Sequence, residues 1–204
     1  MKLLKFLTVF GIFALITLTL FADQSARIGE NAPDFNLKDS YGKSHKLSDF
    51  KGKYIILEWI NFDCPFVVKH YKSENMQKLQ KEMTGKGIVW LSICSSAEGK
   101  QGHFANDEIN KRIKDLKAKM TAYLIDEDGT VGKMYAAKVT PHIFIINPQG
   151  KLIYQGAIDD IKSTDIADIE KAKNYLKTAI EEATGGKSIT SPTTTPYGCS
   201  VKYK

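Results

Sequence analysis

YIILEWINFDCPFVVKHY, residues 54–71, decides how the rest of the chain is read. Tyr54 to Ile60 is an apolar run of strand length, rich in branched and aromatic side chains. A run of that kind with few polar interruptions reads as a strand buried on both faces. It breaks at Asn61-Phe62-Asp63, and Cys64-Pro65 opens a segment in which Phe66, Val67, His70 and Tyr71 share one helical side. Pro65 suits a first helical position, where its missing N–H has no partner to lose. Cys64 therefore stands where a strand ends and a helix begins. Unpaired backbone N–H groups and the positive end of a helix dipole face such a sulfur and favour its thiolate.

Around this stretch the pattern is α/β. Upstream, Asp34–Leu37 and Ser44–Leu47 flank turn chemistry at Asp39-Ser40-Tyr41-Gly42-Lys43 and predict a hairpin. The helix after Cys64 is predicted to run to about Met83, ended by Gly85 and Gly87. Ile88–Cys94 is a second apolar strand, so strand, helix and strand form a right-handed parallel unit. A charged amphipathic helix over 106–119, a strand over 121–125 and a short helix over 131–137 follow. Pro141 opens the next strand, and Asn147-Pro148-Gln149-Gly150 turns it into an antiparallel partner over 151–155. Residues 165–183 show helical spacing up to Gly185-Gly186, and 188–204 form a Ser/Thr/Pro-rich tail carrying Cys199. A central mixed β-sheet flanked by helices is expected, with an N-terminal β-hairpin and an extended C-terminal tail.

The 204 residues are 43% hydrophobic and 25% charged, enough for one full core. Lys2 and Lys5 precede an apolar run from Phe6 to Phe21, then Ala22 and polar Asp23-Gln24-Ser25. Residues 1–22 read as a signal peptide or a membrane anchor, the domain as 23–187, and the product as exported, periplasmic or secreted. A membrane partner is expected only if the leader stays uncleaved. The formal net charge is +6, but the lysines are scattered with no aromatic-interleaved stripe, which argues against nucleic acid. Three cysteines, Cys64, Cys94 and Cys199, leave at least one thiol free or paired between molecules. Cys94, ending an apolar strand, reads as a small buried hydrophobe. Asp126-Glu127-Asp128-Gly129 reads as a plain turn, since the rest of a calcium loop is missing.

Ala32-Pro33-Asp34-Phe35, Leu47-Ser48-Asp49-Phe50-Lys51-Gly52, the Trp59…Cys64-Pro65 segment and Thr140-Pro141 carry a resemblance. The chain resembles the thioredoxin fold in its redoxin branch (AhpC/TSA, peroxiredoxin-like). It is most similar to exported members with Asn-x-x-Cys-Pro-Phe-Val, Thr-Pro-His and a terminal Pro-Tyr-Gly-Cys-Ser-Val-Lys-Tyr. The resemblance implies a cis Thr140–Pro141 peptide beside a reactive Cys64. It also implies a groove for substrate at Pro65, Thr140, Pro141 and His142, and a buried proton-moving acid at Glu58. Two departures stand out. Val67 occupies the place of the second cysteine of a C-x-x-C pair. Leu57 and Asn61 occupy the proline and hydroxyl positions of a peroxidatic P-x-x-x-[ST]-x-x-C, leaving the Asn61 amide as a possible substrate donor.

Two functions follow as expectations. In one, Cys64 attacks a peroxide or a protein disulfide, Cys199 resolves, and an external dithiol reductant resets the pair, with no bound cofactor and no metal. In the other, the fold is a catalytically silent binding module stapled by Cys64 and Cys199. Asp63 either opposes a Cys64 thiolate or caps the helix. His70 reads as structural, and His45 and His103 as solvent-exposed.

Overall fold

The computed structural model describes residues 25–204. The leader expectation lies outside them. Among the described residues no helix is long and apolar enough to cross a membrane.

A seven-stranded mixed sheet is built from β1 (Asn36–Asp39), β2 (Ser44–Lys46), β3 (Ile55–Trp59), β4 (Val89–Cys94), β5 (Ala122–Ile125), β7 (His142–Ile146) and β8 (Leu152–Gly156), in the order β2-β1-β5-β4-β3-β7-β8. Strand β6 (Val139–Thr140) lies outside it. β3 runs parallel to β4 and antiparallel to β7, so hydrogen bonds hold it from both edges. All five of its residues are buried, Glu58 included, as a near-continuous apolar run predicts. Alternation sends Ile56 and Ile60 to one core and Ile55, Leu57 and Trp59 to the other. The first core is roofed by α1 (Pro65–Lys72), α2 (Asn75–Gly85), α3 (Asn106–Asp115) and α5 (Tyr175–Thr184). The second holds Phe35, Leu47, Tyr135 and Phe144, together with Val131 of α4 (Thr130–Met134). Antiparallel β1–β2 and β7–β8 and parallel β3–β4 match the expected pairings.

Several boundaries differ from the sequence reading, each for a local reason. The helix after Cys64 is two helices: Glu74 adopts φ 59°. Ser73 and Asn75 cause the break, because the Ser73 hydroxyl takes the His70 carbonyl at 3.2 Å and the Asn75 amide takes His70 Nδ1 at 2.8 Å. Helical spacing over 165–183 yields a helix only from Tyr175, where the Asn174 side chain caps it by accepting the Lys177 N–H at 2.8 Å. Ile166, within that span, is 43% exposed in a single 3₁₀ turn. α3 stops at Asp115, since Lys117 turns to φ 52°. His45 is buried, not solvent-exposed, because its Nε2 lies 2.7 Å from Asp39 Oδ2 and its ring stacks on Phe50.

The tail is a strap rather than a free arm. Gln155 N–H donates to Pro192 O at 3.0 Å, and Thr194 Oγ1 accepts the Ala157 N–H at 2.9 Å. The short strand β9 (Cys199–Ser200) then pairs antiparallel with β6. Beyond it Val201 N–H donates to Lys138 O, Ala97 N–H to Lys202 O, and the Tyr203 hydroxyl to Ala137 O. Gly156, at φ 150°, lies where a Cβ would run into Thr194. Gly156→Ala is expected to lift the strap there, costing about 1–3 kcal/mol in urea unfolding. Proteolysis within 188–204 should quicken, which limited digestion with mass mapping checks.

Candidate functional site

The site forms where β3 ends, α1 begins and the tail crosses. Cys64 is the residue capping α1, with φ −73° and ψ 123°, and Pro65 takes the first helical position. Its carbonyl accepts the N–H groups of Val67 and Val68 at 2.9 and 2.8 Å. The Cys64 side chain is fully buried, with Sγ 3.0 Å from the Thr140 carbonyl oxygen and 2.7 Å from Cys199 Sγ. Both cysteines are thiols, and Cys199 is the half-exposed one. The Thr140–Pro141 peptide is cis. It follows β6, whose Thr140 is in register with Cys199 of β9. Main-chain pairing therefore delivers Cys199 to Cys64. Gly198 makes the approach possible: at φ 144°, a Cβ there would collide with the Thr140 carbonyl.

Burial, then the neighbouring Cys64 sulfur, pushes the Cys199 thiol up to about 12, against the opposite pull of Lys202 and of the Phe66 N–H. Cys199 thus carries its proton at neutral pH.

Glu58 is fully buried on β3, where Oε2 accepts from Trp90 Nε1 at 2.8 Å and Ser92 Oγ at 2.7 Å, both on β4. Its Oε1 has no hydrogen-bond partner among the described residues. Burial raises it to about 7, against the pull of those two donors and of Gln80. No hydrogen bond joins it to either sulfur among the described residues.

Asp63, beside Cys64, does not cap α1. Its carboxylate takes the Arg112 guanidinium at 2.7 Å, which offsets the negative charge next to the sulfur. The Asn61 amide is engaged in shaping its loop: Oδ1 accepts the Asp63 N–H at 2.9 Å and Nδ2 donates to Gln101 O at 3.3 Å. One of its two amide hydrogens is thus committed to the loop rather than to a substrate. His142 points to the opposite face of the sheet, against Phe144, with ring centroids 4.4 Å apart. Its Nδ1 accepts the Lys138 N–H at 3.3 Å, and burial lowers it to about 4. Pro65 is exposed beside the pair. Cys94 is buried, with Sγ 3.4 Å from Gly102 O. The structure thus joins Cys64, Pro65, Thr140, Pro141 and Cys199 and sets Glu58, Asn61 and His142 apart from the sulfurs.

The AhpC/TSA family model matches residues 28–155. The chain belongs to the AhpC/TSA family. Among curated relatives, the thiol-disulfide oxidoreductase ResA of Bacillus thuringiensis is 27% identical over 161 residues, covering 76% of this chain and 80% of that protein. Peroxiredoxin-2 of Macaca fascicularis is 37% identical over 76 residues, 33% of this chain and 38% of that one. Family and relatives together make this a thiol-dependent oxidoreductase. A solved hypothetical protein from Sinorhizobium meliloti superposes with TM-score 0.74 at 26% identity, covering 88% of this chain and 96% of its own. The thioredoxin domain of a thiol-disulfide oxidoreductase from Bacteroides vulgatus superposes with TM-score 0.51 at 23% identity, over 72% and 98%, and shows the shared thioredoxin-like fold.

Sequence reasoning missed Tyr197, Asp159 and Lys69, which anchor the tail next to Cys199. Their one signal was Tyr197, an aromatic two residues before Cys199 in an otherwise polar segment.

Glu58 predicts a pH signature. A carboxyl raised from 4.5 to about 7 binds its proton more tightly folded than unfolded. Its contribution is therefore full below pH 4.5 and lost as pH rises through 7. Glu58→Gln removes that loss. Its stability relative to wild type should improve between pH 5 and pH 8 by on the order of 3 kcal/mol, read by urea unfolding at each pH.

Proposed function

We propose that the chain is an exported redoxin in which Cys64 takes the oxidising equivalent and Cys199 of the same chain resolves it. The observation that carries the reading is the 2.7 Å approach of the two sulfurs beside the cis Thr140–Pro141 peptide. With a peroxide, the Cys64 thiolate attacks one oxygen, the O–O bond breaks, and an alcohol or water leaves as Cys64 becomes the sulfenic acid. Cys199 then attacks the Cys64 sulfur, releasing water and forming the disulfide. With a disulfide substrate, Cys64 forms a mixed disulfide and expels one thiolate, and Cys199 displaces the other. In either case an external dithiol returns two electrons and leaves as its own disulfide. Glu58 is proposed as the internal proton reservoir, reaching the pair through water rather than by contact. Thr140, Pro141 and Pro65 form the wall that substrate meets. Export is supported by the apolar leader with its two lysines.

One observation favours a second reading. Cys64 has no exposed surface and β9 already fills the edge of β6, which suits a closed, stapled binding module. The potential of the pair separates the two. A value below about −300 mV marks a structural disulfide, and one nearer the thioredoxin range of about −270 mV marks an exchanging pair.

Cys64→Ser is expected to abolish turnover of both hydrogen peroxide and a model disulfide. Cys199→Ser should retain a stoichiometric oxidation at Cys64 but form no intramolecular disulfide. Both are read by thiol titration with and without reductant. Full activity in Cys64→Ser would end the redox reading.

A further inference from the structure

Lys69 and His70, one turn into α1, face a carboxylate that the proposed reaction does not use. Lys69, His70 and Asp159 are all at least 98% buried. Lys69 Nζ lies 3.7 Å from Asp159 Oδ2 and donates to Ile161 O at 3.3 Å. His70 Nε2 lies 3.8 Å from the same oxygen. Asn75 supplies a donor to His70 Nδ1, and burial lowers the ring to about 3, so it stays neutral. One net positive and one net negative charge thus share a water-poor pocket, an arrangement that costs stability unless every remaining lone pair finds a donor.

The last donor comes from the tail. The Tyr197 hydroxyl donates to Asp159 Oδ1, which also accepts the Ile161 N–H at 3.2 Å. The Tyr197 ring packs T-shaped with Phe66, centroids 5.7 Å apart, and has the Lys69 ammonium 5.6 Å from its centre. Phe66 and Lys69 belong to the helix that Cys64 opens, and Tyr197 precedes Cys199 by two residues. One short helix therefore presents Cys64 at its end and grips the tail one turn later. Gly198, pressed on the Thr140 carbonyl, is the link between them.

We infer that Tyr197 is a positioning residue whose hydroxyl, locked onto Asp159 and braced by Lys69, holds Cys199 against Cys64. The latch itself stands on this geometry, and its redox consequence rests on the function proposed above. Restricting one sulfur to the neighbourhood of the other raises its effective concentration and favours the disulfide. By linkage, closing the disulfide tightens the latch to the same degree. A loosened latch makes the disulfide easier to reduce and exposes Cys199 in the reduced protein.

Tyr197→Phe keeps the ring and removes only the donor. Tyr135→Phe is the control, because it deletes a buried hydroxyl that donates to Pro33 O at 2.7 Å, on the other core. Glutathione titration of the full chain should show about a tenfold fall in the disulfide equilibrium constant for Tyr197→Phe, a rise of about 30 mV. Tyr135→Phe should stay within twofold of wild type. In the reduced protein, iodoacetamide should label Cys199 severalfold faster in Tyr197→Phe alone. Wild-type values for Tyr197→Phe in both measurements, or equal shifts in both variants, overturn the inference. If wild type forms no Cys64–Cys199 disulfide, the redox reading falls. The labelling rate then decides the latch by itself, with acceleration confined to Tyr197→Phe supporting it and an unchanged rate overturning it.

Discussion

The backbone pairing of Thr140 with Cys199 is the constraint on which the site depends. The two sulfurs are 135 residues apart in the chain, and no helix or strand of the central sheet brings them together. A two-residue ladder does so, hung between the cis proline and a tail that further main-chain and side-chain bonds hold on either side. Its register places the tail sulfur over the helix end. A slip of one residue would turn Cys199 to the other side and put Ser200 in its place. Glycine at 198 is required by the same contact, since any Cβ would push the ladder off the carbonyl it pairs with.

Much of this was legible from particular residues. The apolar run ending at Trp59, followed by Cys64-Pro65, places a sulfur at a strand-to-helix junction because each local preference agrees with the next. The β3–α1–α2–β4 unit and the β7–β8 hairpin follow from runs of apolar residues bounded by strong turn chemistry. The helix break at Ser73–Glu74 was not legible, because methionine and leucine spacing continues through it while the decision is made by two side chains competing for His70. Asn61 looked like a free amide, since nothing in the sequence says that Gln101 lies within its reach. The tail read from composition as a Ser/Thr/Pro-rich extension with no fixed partners. Its order comes from long-range partners such as Asp159 and Ala97, which are invisible to local periodicity.

The buried acids show how environment divides one functional group into different roles. Glu58 has only neutral groups around its carboxyl and no cation, so burial dominates and raises it to about 7. Asp159 has the Lys69 ammonium beside it and the Tyr197 hydroxyl upon it, so its oxygens are taken up in holding the tail. Asp126 lies between, with Ser95 Oγ at 2.5 Å and the N–H groups of Val131 and Gly132 as its donors, and burial still raises it. The first can exchange a proton near neutrality, whereas the second organises a tail.

The placement of Cys199 on the last strand also bears on how the molecule is made. Every strand of the central sheet precedes it in the chain, so the core can close during synthesis while Cys64 still lacks its neighbour. In that interval the other thiol already present is Cys94, buried on β4 under the Gly102 carbonyl. Burial of Cys94 in the sheet withholds that thiol from exchange once the core has closed.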